Sequence, residues 1–251
     1  MEHIVLQPDE VHFFYTMADE IQDHLLLEKY HKISSKKEKE KTNRYLFEKD
    51  RHNCLVTRGL QRFVLSQCTD IPPESLVFEE SCYGKPDIKP GSTNIPVKFN
   101  LSHASGLTAC AVILNNEIGI DVEDSTRKIN LNIADRFFSR QESEYILNMP
   151  EHKKKETFFD FWTLKESYIK AKGKGLSIPL AKFSFRINNN KTSIHFDESY
   201  NDNSDNFIFF RFPLLKRFKA AITIQAPENL RYKLNIYHCI PFKEIKPIPS
   251  Y

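Results

Sequence analysis

The chain has 251 residues, 40% hydrophobic and 27% charged, which is long enough and ordinary enough for a packed core that needs no staples. A net charge of +3 is too small to argue for nucleic acid by itself, though it suits an anionic ligand where lysines cluster. Five cysteines with no C-x-x-C pair argue against a zinc site or a disulfide framework, and they fit a reducing compartment.

His3–Leu6 reads as a short strand and Ala18–Lys32 as a helix. Met1–Tyr15 lacks the basic start and apolar run of a signal peptide, and no stretch approaches the roughly 20 apolar residues of a membrane helix, so a cytoplasmic protein is expected. Lys36–Lys41 alternates lysine with glutamate and reads either as a solvated helix face or as an edge that attracts phosphate. From Glu48 to Gln67, Leu55, Leu60 and Val64 recur at helical spacing. Arg51, Arg58 and Arg62 lie on this helix, the last two one turn apart. Residues 71–98 are rich in proline and turn formers, with a strand-like piece at Leu76–Glu79. Tyr83-Gly84-Lys85-Pro86 makes a tight turn that presents a lysine.

Thr108–Leu114 is a nearly continuous apolar strand, and Asn115-Asn116 is a hairpin signal before Ile118–Glu123. In that last segment Ile118, Ile120 and Val122 face one side, and Gly119, Asp121 and Glu123 the other. Ile133–Phe138 and Gln141–Leu147 read as helices, the second capped by Ser139. Phe158–Lys172 reads as a strong helix stopped by a left-handed cap at Gly173. Strands follow at Phe183–Ile187, Thr192–Phe196, Phe207–Phe212, Ala220–Gln225 and Leu234–Cys239. A boundary near residue 115 divides the chain into residues 1–115 and 116–251, with the C-terminal tail free to pack back on the first half.

Taken singly, the polar residues have ordinary readings. Glu166 and Lys170 form an i, i+4 surface pair, Asp121 and Glu123 are strand-end carboxylates, and His103 is a satisfied loop histidine. Together they suggest chemistry. Two carboxylates at i and i+2 repel by on the order of 4 kcal/mol at 4 Å and an effective dielectric near 20, and a third makes it worse. A hard divalent cation removes that conflict. Oxygen ligands favour Mg²⁺, Mn²⁺ or Ca²⁺, and Mg²⁺ usually keeps positions open for substrate phosphates.

The order and spacing of Asn100-Leu101-Ser102-His103, Gly119-Ile120-Asp121-Val122-Glu123, Trp162-Thr163-Leu164-Lys165-Glu166-Ser167-Tyr168-Ile169-Lys170 and Gly173-Lys174-Gly175-Leu176 closely resemble the 4′-phosphopantetheinyl transferases of the larger surfactin-synthetase-activating type. Tyr83–Pro86 and Arg136-Phe137-Phe138-Ser139 resemble that family too. The resemblance runs from about Ser34 to Leu180 and implies an α+β fold of two similar subdomains related by a pseudo-twofold, with the active site in the cleft between them. It implies Mg²⁺-dependent transfer of the 4′-phosphopantetheine arm of coenzyme A to a serine of an apo-carrier protein, releasing 3′,5′-ADP, by a monomer with no nucleic-acid or membrane partner. Mn²⁺ is an alternative metal. Carried over by position, Asp121, Glu123 and Glu166 are metal carboxylates, and Glu166 and Lys170 are catalytic. Lys170 contacts the pyrophosphate, and Lys165 matches a cofactor-binding position beside it; Lys85, Ser102, His103 and, more loosely, Lys41 contact the 3′-phosphate. Cys54 departs from the family by standing where a small hydroxyl residue aligns. The carrier is expected near Thr126–Phe138 and the helix after it. Two other readings are a non-catalytic coenzyme A or carrier-binding module and a Mg²⁺-dependent nucleotide pyrophosphate hydrolase.

Overall fold

The structure, a computed structural model, describes residues 3–188, 191–200 and 202–249. The side chains of Asn132, Asp135 and Leu176 lie outside the described set, so the last residue of the Gly173–Leu176 motif and two within the expected carrier segment are not placed. In chain order the elements are β1 (Glu10–Met17), α1 (His24–Ile33), α2 (Lys36–Asn43), α3 (Glu48–Cys68), β2 (Phe78–Glu80), β3 (Pro86–Ile88), β4 (Val97–Ala104), β5 (Leu107–Leu114), β6 (Ile118–Asp124), α4 (Ala134–Phe137), α5 (Arg140–Asn148), α6 (Glu151–Lys172), β7 (Phe183–Asn188), β8 (Lys191–Phe196), β9 (Phe207–Leu214), β10 (Phe218–Gln225), β11 (Lys233–Ile240) and β12 (Glu244–Ile248). The class is α+β. The chain forms two compact units. One holds the residues through 80, 86–115 and those from 232 on; the other holds 81–85 and 116–231.

The first unit is built on a five-stranded sheet in the order β12-β11-β1-β5-β4, antiparallel except for the parallel β1–β11 pair. Helix α3 covers one face, burying Leu60, Phe63 and Val64 against Phe14, Phe99, Cys110, Val112 and Cys239. At Gly59 a Cβ would meet the Tyr30 ring at 2.6 Å, so glycine lets the tyrosine of α1 lie flat on α3. Arg51 ties down the segment between α2 and α3 by donating to the Tyr45 and Leu46 carbonyls at 2.9 Å each.

In the second unit, α6 packs across β6 and β10 of a three-stranded antiparallel sheet, β6-β10-β9, and β7 and β8 form a separate ribbon. The chain's 20 phenylalanines are concentrated here. Phe138, Phe158, Phe159, Phe161, Phe183, Phe185 and Phe207 are buried in one cluster with Leu164 and Tyr168. Ser139 caps α5 with a full capping box to Glu142, and α6 stops at Gly173, whose φ of 62° is left-handed.

Three expectations are corrected, and one strand went unread. His3–Leu6 is not a strand; Ile4 N donates to the Gln67 carbonyl at the end of α3, and Leu6 joins the core. The first strand is β1, central between β11 and β5 and buried from Val11 to Thr16, so it carries no polar alternation to read. The helix expected from Ala18 begins at His24, because Asp23 adopts an extended backbone and caps it through Leu25 N. The Asn115-Asn116 hairpin does not form: β5 pairs with β4 and β1, whereas β6 pairs with β10. Asn115 has a φ of 67° and donates to the Pro96 carbonyl, turning the chain without folding it back.

Candidate active site

Gly119, Asp121 and Glu123 share the face of β6 that lies on α6. A Cβ at Gly119 would sit 2.1 Å from the Ser167 carbonyl oxygen and 2.2 Å from Ala171 N. Only glycine permits this backbone-to-backbone approach, and it brings the next two same-face residues alongside successive turns of the helix. Asp121 Oδ1 accepts from Lys170 Nζ at 2.7 Å. Glu123 Oε1 accepts from Trp162 Nε1 at 3.0 Å, and Arg127 donates to the same oxygen from 3.3 Å. Trp162, Glu166 and Lys170 follow one another at i+4, so one stripe of α6 faces the acidic end of β6.

The electrostatics set these carboxyls apart. Burial, then the negative charge of Asp121, push Glu123 up to about 7, against Arg127, Trp162 and Lys170. Burial and then Asp121 also raise Glu166, against the pull of Lys170. Asp121 thus acts on both glutamates. A carboxylate raised in this way is a stronger base than an exposed one. Among the described residues, no group of three or more His, Cys, Asp and Glu side chains converges into a ready-made metal site. The donor set nonetheless fits a hard dication in kind: the carboxyls are oxygen donors that disfavour one another's charge, and Mg²⁺ needs only one or two protein carboxylates beside substrate phosphates.

Lys165, expected to bind the cofactor beside Lys170, points into the core instead. The neighbour of Glu166 on a helix points about 100° away, and here that direction is the core. Lys165 is fully buried, 2.8 Å from Glu142 Oε2, and donates to the Leu180 and Phe183 carbonyls at 2.8 and 2.6 Å. Glu142 in turn accepts from Ser139 and from Phe185 N, so the pair ties α5, α6 and β7 together.

Lys85 belongs to the second unit. Its ammonium donates to Glu117 at 2.7 Å and to the Ile118 and Ala171 carbonyls at 3.0 and 3.3 Å, bracing the start of β6 against α6. Ser102 and His103 are adjacent in β4 and project to opposite faces. His103 is exposed and lines a cavity of about 400 Å³ in the first unit; Ser102 is buried on the other side of the sheet. His103 lines the cavity and Ser102 does not. Lys41 lines the same cavity as His103, as does Cys54, whose Sγ lies 3.2 Å from Thr42 Oγ1.

Residues 117–223 match the 4′-phosphopantetheinyl transferase superfamily, and residues 24–115 match the N-terminal region of the 4′-phosphopantetheinyl transferases. The chain is 35% identical over 185 residues to the 4′-phosphopantetheinyl transferase gsp of Aneurinibacillus migulanus, covering 72% of this chain and 73% of that one. It is 35% identical over 175 residues to the transferase Sfp of Bacillus subtilis, covering 69% and 75%. It is 32% identical over 176 residues to HetI of a Nostoc species, covering 70% and 73%. The chain belongs to the 4′-phosphopantetheinyl transferases.

The transferase is of the Sfp type, and its activity is transfer of a 4′-phosphopantetheine arm to a carrier protein. No helix among its described residues is long and apolar enough to cross a membrane. Sequence reasoning missed several residues of this transferase that the structure brings forward. Glu117 holds Lys85, and Glu142 holds Lys165. Lys49, Asn53, Thr57 and Arg58 line the cavity with Lys41 and His103. The available signal was helical spacing: Lys49, Asn53 and Thr57 recur every fourth residue on α3, as do Cys54 and Arg58.

Proposed function

We propose that the β6–α6 site works on the pyrophosphate of coenzyme A, and that the first-unit cavity receives its 3′-phosphate. The observation that carries this reading is the meeting of Asp121 with Lys170 one turn beyond Glu166, with both glutamates raised by burial and then by Asp121. In the reaction, the carrier serine oxygen forms a bond to the phosphorus that bears the pantetheine arm. The bond from that phosphorus to the bridging oxygen breaks, and 3′,5′-ADP leaves with the bridging oxygen. Serine is a weak nucleophile, and Glu166, raised above an ordinary carboxyl, takes its proton directly or through a water. Lys170 stabilises the charge that builds on the leaving phosphate, and Asp121, 2.7 Å away, holds the ammonium in place.

Asp121, Glu123 and Glu166 are the residues that would hold Mg²⁺, or Mn²⁺ in its place. When bound, the ion supplies neutralising charge to the pyrophosphate oxygens. Trp162 and Arg127 steady Glu123. The cations lining the cavity, Lys41, Lys49 and Arg58, suit a phosphate monoester. We further propose that one chain suffices for activity. Carrier proteins are acidic, and we assign their contact to Thr126–Phe138 and the helix after it, α5.

The test is incubation of the full chain with coenzyme A, Mg²⁺ and an apo-carrier. A mass gain of one phosphopantetheine arm on the carrier serine, lost on chelation, supports the reading. Release of 3′,5′-ADP with the carrier unmodified would point instead to hydrolysis.

A further inference from the structure

The turn between β9 and β10 is built from residues that resist it. Leu215 and Lys216 both have left-handed backbones, with φ of 52° and 56°. Two successive positive φ values are the pattern of a primed hairpin turn, which Asn-Gly adopts at little cost and an ordinary side chain does not. Leu214 pairs with Phe218 and both are buried, so the flanking strands hold the turn in place. Leu215 is 43% exposed at the tip and gains little from burial. Neither local conformation nor packing accounts for a leucine and a lysine here, and strain of this kind persists where the side chains that carry it have work.

The place of the turn says what that work is. β10 runs antiparallel to β6, and Lys219 lies opposite Glu123. The turn therefore stands just beyond the end of β6 that carries Asp121 and Glu123. It is fastened to the chain that leaves this strand. Ser125 donates to the Arg217 carbonyl from N at 2.9 Å and from Oγ at 2.7 Å. Arg217 donates through Nε and Nη2 to Asp124 Oδ2 at 3.1 and 2.6 Å, and Asp124 Oδ1 accepts from Thr126. These bonds hold the tip against the start of the Thr126–Phe138 segment. Residues 125–128 and 215–217 include four cations and no acid. Arg127 and Arg217 answer Glu123 and Asp124, which leaves Lys128 and Lys216 as exposed charge with no partner among the described residues.

We propose that the β9–β10 turn is a docking element for the carrier protein, with Leu215 seated on an apolar spot of the carrier and Lys216 facing its acidic surface. The proposal rests on the assignment of the carrier to Thr126–Phe138 and α5, and it extends that contact to a second piece of chain. Charge complementarity with an acidic partner, and continuity with that segment, favour the carrier over a second copy of this basic chain. The strained turn fixes where the leucine stands before the carrier arrives, which lowers the ordering cost of binding. It makes the turn a determinant of which carriers are served.

The test uses the double variant Leu215→Asn/Lys216→Gly in the full chain. It reads the unfolding midpoint in urea and the KM values for one apo-carrier and for coenzyme A. The midpoint is expected to rise, because the new residues suit the turn, while KM for the carrier rises about tenfold and KM for coenzyme A does not. A purely structural role would move stability and carrier use in the same direction. Lys216→Glu should also raise KM for the carrier and weaken its dependence on ionic strength. Lys128→Glu is the companion variant in the adjoining segment. If it raises KM for the carrier while the double variant keeps the wild-type value, the turn proposal fails and the assignment of the segment stands. If neither shifts KM for the carrier, both fail. A lowered midpoint in the double variant would show that the turn is not strained and would overturn the proposal on that ground.

Discussion

The Ser167 carbonyl oxygen occupies the place where a side chain on Gly119 would begin, 2.1 Å from an ideal Cβ. That contact positions the site, because Asp121 and Glu123 reach α6 only when the strand backbone lies on the helix backbone. Gly119→Ala must push β6 away from α6. Overpacking of this kind costs about 1–3 kcal/mol. The expected outcome is a lowered unfolding midpoint in urea and a loss of transfer activity much larger than that destabilisation explains, since Asp121 moves off Lys170. Full activity in a folded Gly119→Ala protein would show that the backbone contact does not set the catalytic geometry.

Glu166→Gln keeps the shape and removes the base. Transfer to the carrier should fall by about 10²–10⁴-fold with the circular dichroism spectrum unchanged. Lys170→Ala should lower kcat more than it raises KM for coenzyme A, as expected for a group that acts on the leaving phosphate. Equal changes in both parameters would reduce Lys170 to a binding role.

Lys165 and Glu142 predict a double-mutant cycle. Removing either partner leaves the other charge in the core, so Lys165→Met and Glu142→Gln should each cost about 3–5 kcal/mol. The double variant should be more stable than the sum of the two losses implies, by about 1 kcal/mol or more. Additive losses in urea unfolding would mean that the two side chains do not stabilise one another.

Glu38 and Arg62 predict an acid-sensitive contribution to stability. Burial raises the Glu38 carboxyl, but the Arg62 guanidinium and Ser35 outweigh it and hold Glu38 below the ordinary value of 4.5. A lowered folded value means that the pair's contribution is fully present above 4.5 and is lost as pH falls through the folded value. Glu38→Ala should therefore cost about 3–5 kcal/mol at neutral pH, and its gap from the wild type should narrow as the solution is acidified. A gap independent of pH in urea unfolding would remove the ion pair from the account.

Much of the second unit could be read directly. Ser139 and Gly173 are local signals that act through their own backbone, so the start of α5 and the end of α6 fall where expected. The alternation in Ile118–Glu123 put Gly119, Asp121 and Glu123 on one face, and the structure keeps them there. The first two turns of α6, from Glu151, went unread because they are mostly charged and carry no apolar period. Lys165 was placed beside the pyrophosphate by resemblance alone, and its partner, Glu142, lies on another helix, where no local pattern shows it.

The sequence by itself determined the family, the elements with strong local caps or clean periodicity, and which residue types carry the chemistry. It did so because those signals depend on neighbours within about one or two turns of chain. Only the tertiary structure decided that β6 pairs with β10 rather than β5, that Ser102 and His103 face apart, that Lys165 belongs to the core, and that Arg62 is neutralised by Glu38. Each of these depends on groups far apart in sequence that come together only on folding, where burial and pairing give identical residue types different charges and different work.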